Sequence, residues 1–272
     1  MSRTLFQRIA TTLLPFILAA CAATGGAQNT PTREDGRARL AKAEAMFAER
    51  CKKAGVFIYR NAENVDGVFL MKIRPNDINY GDQYKLDDPY GRDLGGDGYI
   101  LSFLNGFFEA NVKRPDVPAK VVHPHVAYRY VDALDPKDGK RYRYTGRIDE
   151  PWRYDSSYSK TYKRFALDKA PAPGPAPRYG VTYDDISTRE ERDYWIAGSS
   201  LKVIDLQTNE VMAERIGYMM DRGQGDRGGG RSPWLFAADN ACPEFAPRHG
   251  STAQLLQTEN FVEKTLKPMR GN

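Results

Sequence analysis

The stretch Tyr128-Arg129-Tyr130-Val131-Asp132-Ala133-Leu134-Asp135-Pro136-Lys137-Asp138-Gly139-Lys140-Arg141-Tyr142-Arg143-Tyr144 decides the fold class. Tyr128 and Tyr130, then Tyr142 and Tyr144, recur at period two, the spacing that sets side chains on one face of a strand. Asp135-Pro136-Lys137-Asp138-Gly139 between them is turn chemistry, so the stretch predicts an antiparallel hairpin. It predicts an α+β fold: a mostly antiparallel β-sheet in one or two lobes, with an N-terminal and a C-terminal helix packed on it.

Upstream, Val56 to Arg60 and Val65 to Arg74 are β-branched and aromatic runs with a short polar break, and predict a second hairpin. Pro75 to Gly98 is dense in Asn, Asp, Gly, Tyr and Pro, a long ordered loop of the kind that often carries function. Ile100 to Asn111 holds enough apolar residues for a short buried helix. Arg33 to Ala54 has helical spacing, with Thr32 and Asp35 resembling a capping box. Leu40, Ala43, Phe47, Cys51 and Ala54 fall on one apolar face, and Gly55 ends the helix.

Downstream, Tyr158, Tyr162 and Phe165 suggest another strand. Residues 170–177 alternate Pro with Ala or Gly and read as a semi-rigid polyproline spacer. Tyr179 to Tyr183, Trp195 to Asp205 and Glu210 to Met219 predict three more strands, the last two joined through Leu206 to Asn209. Ser251 with Gln254 opens a final helix whose apolar face holds Leu255, Phe261, Val262 and Leu266, and Pro268 stops it. The organisation that follows is a signal segment (1–20), a flexible tether (21–32), an N-terminal lobe (33–169), a Pro-rich linker (170–177) and a C-terminal lobe (178–272).

The first residues set the compartment. Arg3 and Arg8 precede a mostly apolar run from Ile9 to Ala20, the layout of a secretory signal peptide. The run is about a dozen residues, short of the ~20 that span a bilayer. Leu18-Ala19-Ala20-Cys21 resembles the lipobox of bacterial lipoproteins, which implies lipidation of Cys21 and cleavage before it. The alternative is an ordinary signal peptide with an incidental cysteine. Ala22, where that family commonly carries an inner-membrane-retaining Asp, implies the outer membrane, so the chain is expected in the periplasm, tethered by lipid.

That compartment is oxidising. With Cys21 lipidated, Cys51 and Cys242 form the only intramolecular pair, unless both stay as buried thiols. Forty Lys and Arg stand against 35 Asp and Glu, a charge of +5 that becomes +3 once Arg3 and Arg8 leave. So mild an excess, in the periplasm, argues against nucleic acid.

No catalytic constellation emerges. Gly223 to Arg231 is glycine-rich but runs into Ser232-Pro233-Trp234 where a phosphate-cradling loop needs Gly-Lys-Ser/Thr. His123-Pro124-His125 lacks a Cys, Asp or Glu set nearby and His249 is the remaining histidine, so no metal is expected. Gly198-Ser199-Ser200 is not a nucleophile elbow. Asp184, Asp185, Glu190 and Glu191 could pair for glycoside cleavage, but read more simply as a charged, solvated turn. Neither a cofactor nor a small-molecule substrate is implied.

What remains is a surface for protein. Tyr142, Arg143, Tyr144, Arg147, Trp152, Arg153, Tyr154, Tyr158, Tyr162 and Arg164 crowd one stretch, and Tyr, Trp and Arg dominate binding hot spots. The competing account makes half of the tyrosines sheet core. Asp226, Arg227 and Arg231 of the glycine loop form a second candidate surface.

Two blocks resemble a family. Ile78 to Arg92, and Tyr179 to Asp205 continuing through Gly228 to Trp234 and on to Cys242-Pro243, are similar to proteobacterial envelope lipoproteins that act as immunity proteins to phospholipase effectors of type VI secretion. The resemblance implies a non-enzyme that binds a cognate lipase effector and blocks its access to lipid. The alternatives are a structural or assembly lipoprotein of an envelope complex, and an envelope enzyme with a convergent polar cluster.

Overall fold

A computed structural model describes residues 33–76, 81–91, 95–104, 128–245 and 253–269. The signal segment, Cys21 and the tether, both His123 and His125, His249, the Ser251 cap and parts of the Ile78 to Arg92 block lie outside the described residues.

The chain folds as α+β. After helix α1 (Arg33–Cys51) come strands β1 (Gly55–Ile58), β2 (Ala62–Val65) and β3 (Gly67–Leu70), then helix α2 (Asp97–Ser102). Strands β4 (Tyr130–Leu134), β5 (Arg141–Asp149), β6 (Arg164–Pro171) and β7 (Tyr179–Asp185) lead to the short helix α3 (Arg189–Asp193). Strands β8 (Ile196–Asp205) and β9 (Glu210–Met220), helix α4 (Pro233–Ala237), β10 (Ala241–Cys242), helix α5 (Ala253–Thr265) and β11 (Leu266–Pro268) complete it.

One sheet runs in the order β1-β9-β8-β7-β3-β4-β5-β6, with β10 also on β9. It is antiparallel except around β3, which pairs in parallel with both β4 and β7. The expected hairpins at β4–β5 and β8–β9 both form.

The expected hairpin of Val56–Arg60 with Val65–Arg74 does not form. β1 pairs with β9, and three strands separate it from β3. The residues between them are spent on β2, which pairs in parallel with β11 at the other end of the chain. Tertiary partners override a local turn signal here.

Residues on both sides of 170–177 belong to the same sheet, because β3 holds β4 on one side and β7 on the other. Ala170 and Pro171 extend β6 opposite Arg143 and Tyr142 instead of starting a spacer. Pro171 is tolerated because, among the described residues, β6 is an edge strand. Tyr158 and Tyr162 precede the strand and stack on each other with ring centres 5.4 Å apart.

Strand alternation divides the sheet into two unlike faces. On one, Tyr144, Val131, Val68, Leu70, Val181, Tyr183, Leu201, Val203 and Ala213 form a continuous apolar band. α2 and α5 cover it, and Leu255, Phe261, Val262 and Leu266 all enter that core as their spacing predicts. The opposite face has an apolar cluster at the β8–β9 end, where Ile196, Tyr218 and Met220 meet Leu40, Ala43 and Phe47 of α1. Cys51 at the end of α1 is bonded to Cys242 of β10. Along β5 and β6 that face is largely charged.

Candidate functional site

The charged face begins on β4 and β5. Asp132 is buried and accepts from Arg143 Nε at 2.7 Å and from Arg141 Nη1 at 3.1 Å. Arg143 also lies 3.7 Å over the Tyr130 ring. Tyr142 and Tyr144 point the other way, to the apolar band, as strand alternation requires. Tyr144 is therefore core and presents nothing to a partner.

Further along β5 the face opens into a cleft of about 800 Å³. Its walls are Arg147, Asp149, Glu150, Arg153, Tyr154, Lys163 and Arg164, with Ala166 on its floor. β5 and β6 bring these together because Arg147 pairs with Ala166 and Asp149 with Arg164. Pro151–Arg153 forms a single helical turn that folds Trp152, Arg153 and Tyr154 back over the strand end.

Asp149 is the hub. It accepts from the Tyr154 hydroxyl at 2.6 Å, Arg164 Nε at 2.9 Å and Arg147 Nη1 at 3.2 Å. The Tyr154 hydrogen bond, then those from Arg164 and Arg147, hold its carboxyl below the usual range against the opposing effect of burial. Glu150 is likewise held low by Lys163 at 2.9 Å and Arg153 at 2.5 Å. Arg147 also reaches Asp168 at 3.2 Å. The carboxylates fix the cations in place, and four cations against two carboxylates leave the lining positive. Tyr154 stays 65% exposed although its hydroxyl is doubly held, and Trp152 is half-buried with the Arg153 guanidinium 5.2 Å from its ring centre.

The second candidate surface stands apart. The loop after β9 is tied down by buried Asp221, which accepts from Gly223 N at 3.0 Å, Gly225 N at 2.9 Å and Arg231 Nη1 at 2.9 Å. Gly225, at φ +86°, lies flat on the Trp195 indole where any Cβ would collide. Arg231 is thus a structural tie, whereas Asp226 and Arg227 are exposed at the tip. Five strand spacings, about 24 Å, separate β9 from β5. The structure does not join the two surfaces.

Of the four acids at and after the end of β7, Asp184 and Glu190 are exposed, as a solvated turn requires, whereas Asp185 and Glu191 are drawn into the fold. Glu191 is buried, closes a capping box with Thr188 and pairs with Arg50 of α1, while Glu190 meets Lys42 at 3.4 Å. Asp185 holds Arg192 and Asp184 holds Lys202 at 3.0 Å. Glu190 and Glu191 thereby tie α1 to α3. Among the described residues no set of three His, Cys, Asp or Glu could hold a metal, and no helix is long and apolar enough to cross a membrane.

Sequence reasoning missed Asp149, Glu150, Lys163 and Ala166. The alternation Arg147-x-Asp149 was a usable signal, but its pairing with Arg164 depends on a register that no local pattern encodes. No family model, curated protein or solved structure matches this chain.

Proposed function

We propose that this chain is a lipid-anchored immunity protein of the bacterial envelope. It is held at the periplasmic side of the outer membrane through Cys21, and it binds and inhibits a phospholipase effector delivered by type VI secretion. The family comes from the resemblance of the two sequence blocks. The observation that carries the binding role is the cleft: an exposed concavity bordered by Tyr154, with Trp152 in the adjoining turn and Arg147, Arg153 and Arg164 held by fixed carboxylates. Cations ordered before binding lose less side-chain entropy on complex formation. Aromatic anchors beside them supply rigid contact area, and an interface of about 1,600 Å² centred there would cover a lipase active-site entrance.

The test has two parts. Capture from cells producing the effector should recover a lipase, and titrating that lipase with the protein should abolish phospholipid hydrolysis at equimolar ratio. A captured partner without lipase activity, or hydrolysis undiminished by excess protein, contradicts the reading. Cys21→Ala should release the protein from membranes or leave its precursor uncleaved; unchanged fractionation would sink the anchor.

A further inference from the structure

We infer that the cleft receives an extended acidic segment of the partner, which adds as a strand to the outer edge of β6. This rests on the cleft being the partner site and specifies how the partner is held. The register fixes the direction of the β6 backbone groups. Ala172 N–H donates to the Arg141 carbonyl at 3.1 Å, so Arg141 and Ala172 are a hydrogen-bonded pair. Antiparallel alternation then turns Ala170, Asp168, Ala166 and Arg164 toward β5 as well. Leu167 and Lys169, between them, direct N–H and C=O away from β5, and among the described residues no strand pairs with that edge. Pro171 has no N–H and ends the row. Such an edge is a template for an added strand.

The side chains select which strand fits. Arg164, Ala166 and Asp168 share the cleft face with Arg147 and Asp149. Ala166 is small, so the floor between Arg147 and the edge stays open. A residue opposite Ala166 on an added strand would sit about 9.6 Å from the Arg147 backbone, two strand spacings, a gap that Glu and Arg side chains close together. The positive lining favours carboxylates at the positions that face it. Alternate positions fall on the other face beside half-buried Leu167 and favour apolar residues. The pattern recognised is therefore acidic–apolar alternation.

The probe is an alternating Glu-Val peptide of about ten residues, long enough to cover the strand. Its controls are a Lys-Val peptide, a Glu-Pro peptide and free glutamate. Binding to the purified protein is followed by fluorescence anisotropy, and amide hydrogen exchange is read residue by residue. The Glu-Val peptide should bind and slow exchange at Leu167 and Lys169, and the Arg147→Gln/Arg164→Gln variant should weaken binding about tenfold or more. Should that variant not fold, the exchange pattern of the unaltered protein decides.

Equal binding of glutamate or the Glu-Pro peptide would mean a plain anion site and overturn the strand mode. Arginine-dependent binding to phosphatidylglycerol vesicles without peptide binding would overturn it in favour of a membrane, and so would no binding at all. None of these arms contains the lipase. Peptide failure beside intact lipase inhibition removes only the strand mode, whereas peptide binding without inhibition removes only the lipase.

Discussion

Arg74 with Asp88 and Arg147 with Asp149 place the same chemistry in two settings. Arg74 and Asp88 are wholly buried and 2.6 Å apart, whereas the Arg147 side chain is 56% exposed. Around the buried pair, Ser199 donates to Asp88 at 2.8 Å and Arg215 to Ser199 at 3.2 Å. Arg215 also bonds Gln257 of α5 at 3.0 Å, and the Arg74 guanidinium lies 4.0 Å over Tyr183. Gly91 leaves no room for a Cβ against that guanidinium. This network locks the Asp87–Gly91 segment between the sheet and α5. Its charges are inaccessible and their role is to hold the fold. In the cleft Asp149 is nearly buried, but its cations Arg147 and Arg164 are about half in water, so each pair is worth less than a fully buried one, and those cations remain able to meet another molecule.

The largest effect should come from breaking the buried member. Asp88→Ala leaves Arg74 and Arg215 in the core without a counter-charge and should cost about 3–5 kcal/mol in urea unfolding. Asp149→Ala should move the midpoint less, because the cations it leaves unpaired can turn to water. Equal losses from the two would erase the distinction.

Next in size is the covalent tie. Cys51→Ser/Cys242→Ser should lower stability by about 2–4 kcal/mol and free α1, with faster exchange in Arg33–Cys51 but not in β5 and β6. Uniform loss of protection across both would mean the two ends of the sheet are not separately anchored.

A smaller, pH-dependent effect sharpens the contrast between acids with cationic partners and one raised by burial alone. Burial raises the Glu263 carboxyl to about 6. The folded state therefore binds this proton more tightly than the unfolded chain, and stability falls as pH rises from about 4.3 to 6. Glu263→Gln should raise stability by about 1 kcal/mol at pH 8 and leave it unchanged at pH 4. No gain at pH 8 would mean the carboxyl is already well solvated. Asp149 and Glu150, shifted down, stay ionised across this range. Partner binding should accordingly be flat from about pH 6 to 8 yet weaken with added salt.

Sequence pattern made the periodic parts legible. The tyrosine alternation of β4–β5, the stripe of α1 and the face of α5 each state a local period, and the structure repeats them. The Cys51–Cys242 bond followed from counting. What pattern could not carry was partner choice. β1 and β3 part company because their neighbours, β9, β4 and β7, lie far along the chain. The cleft was half legible for the same reason. Arg147, Trp152, Arg153 and Tyr154 lie in one stretch, but the hub role of Asp149 arises from its facing Arg164 across strands. Tyr144 was misplaced because period two does not say which face is the core. Glu191 looked solvated because nothing local announces Arg50, 141 residues away.

The most direct test of the cleft as the recognition surface is the inhibition constant of Trp152→Ala/Tyr154→Ala against the captured lipase. Asp226→Ala/Arg227→Ala is the matched control on the distant loop. The cleft variant should inhibit about thirtyfold more weakly, with an unchanged urea midpoint and an intact disulfide. The loop variant should inhibit as the unaltered protein does. A folded cleft variant that inhibits at full strength would contradict the account.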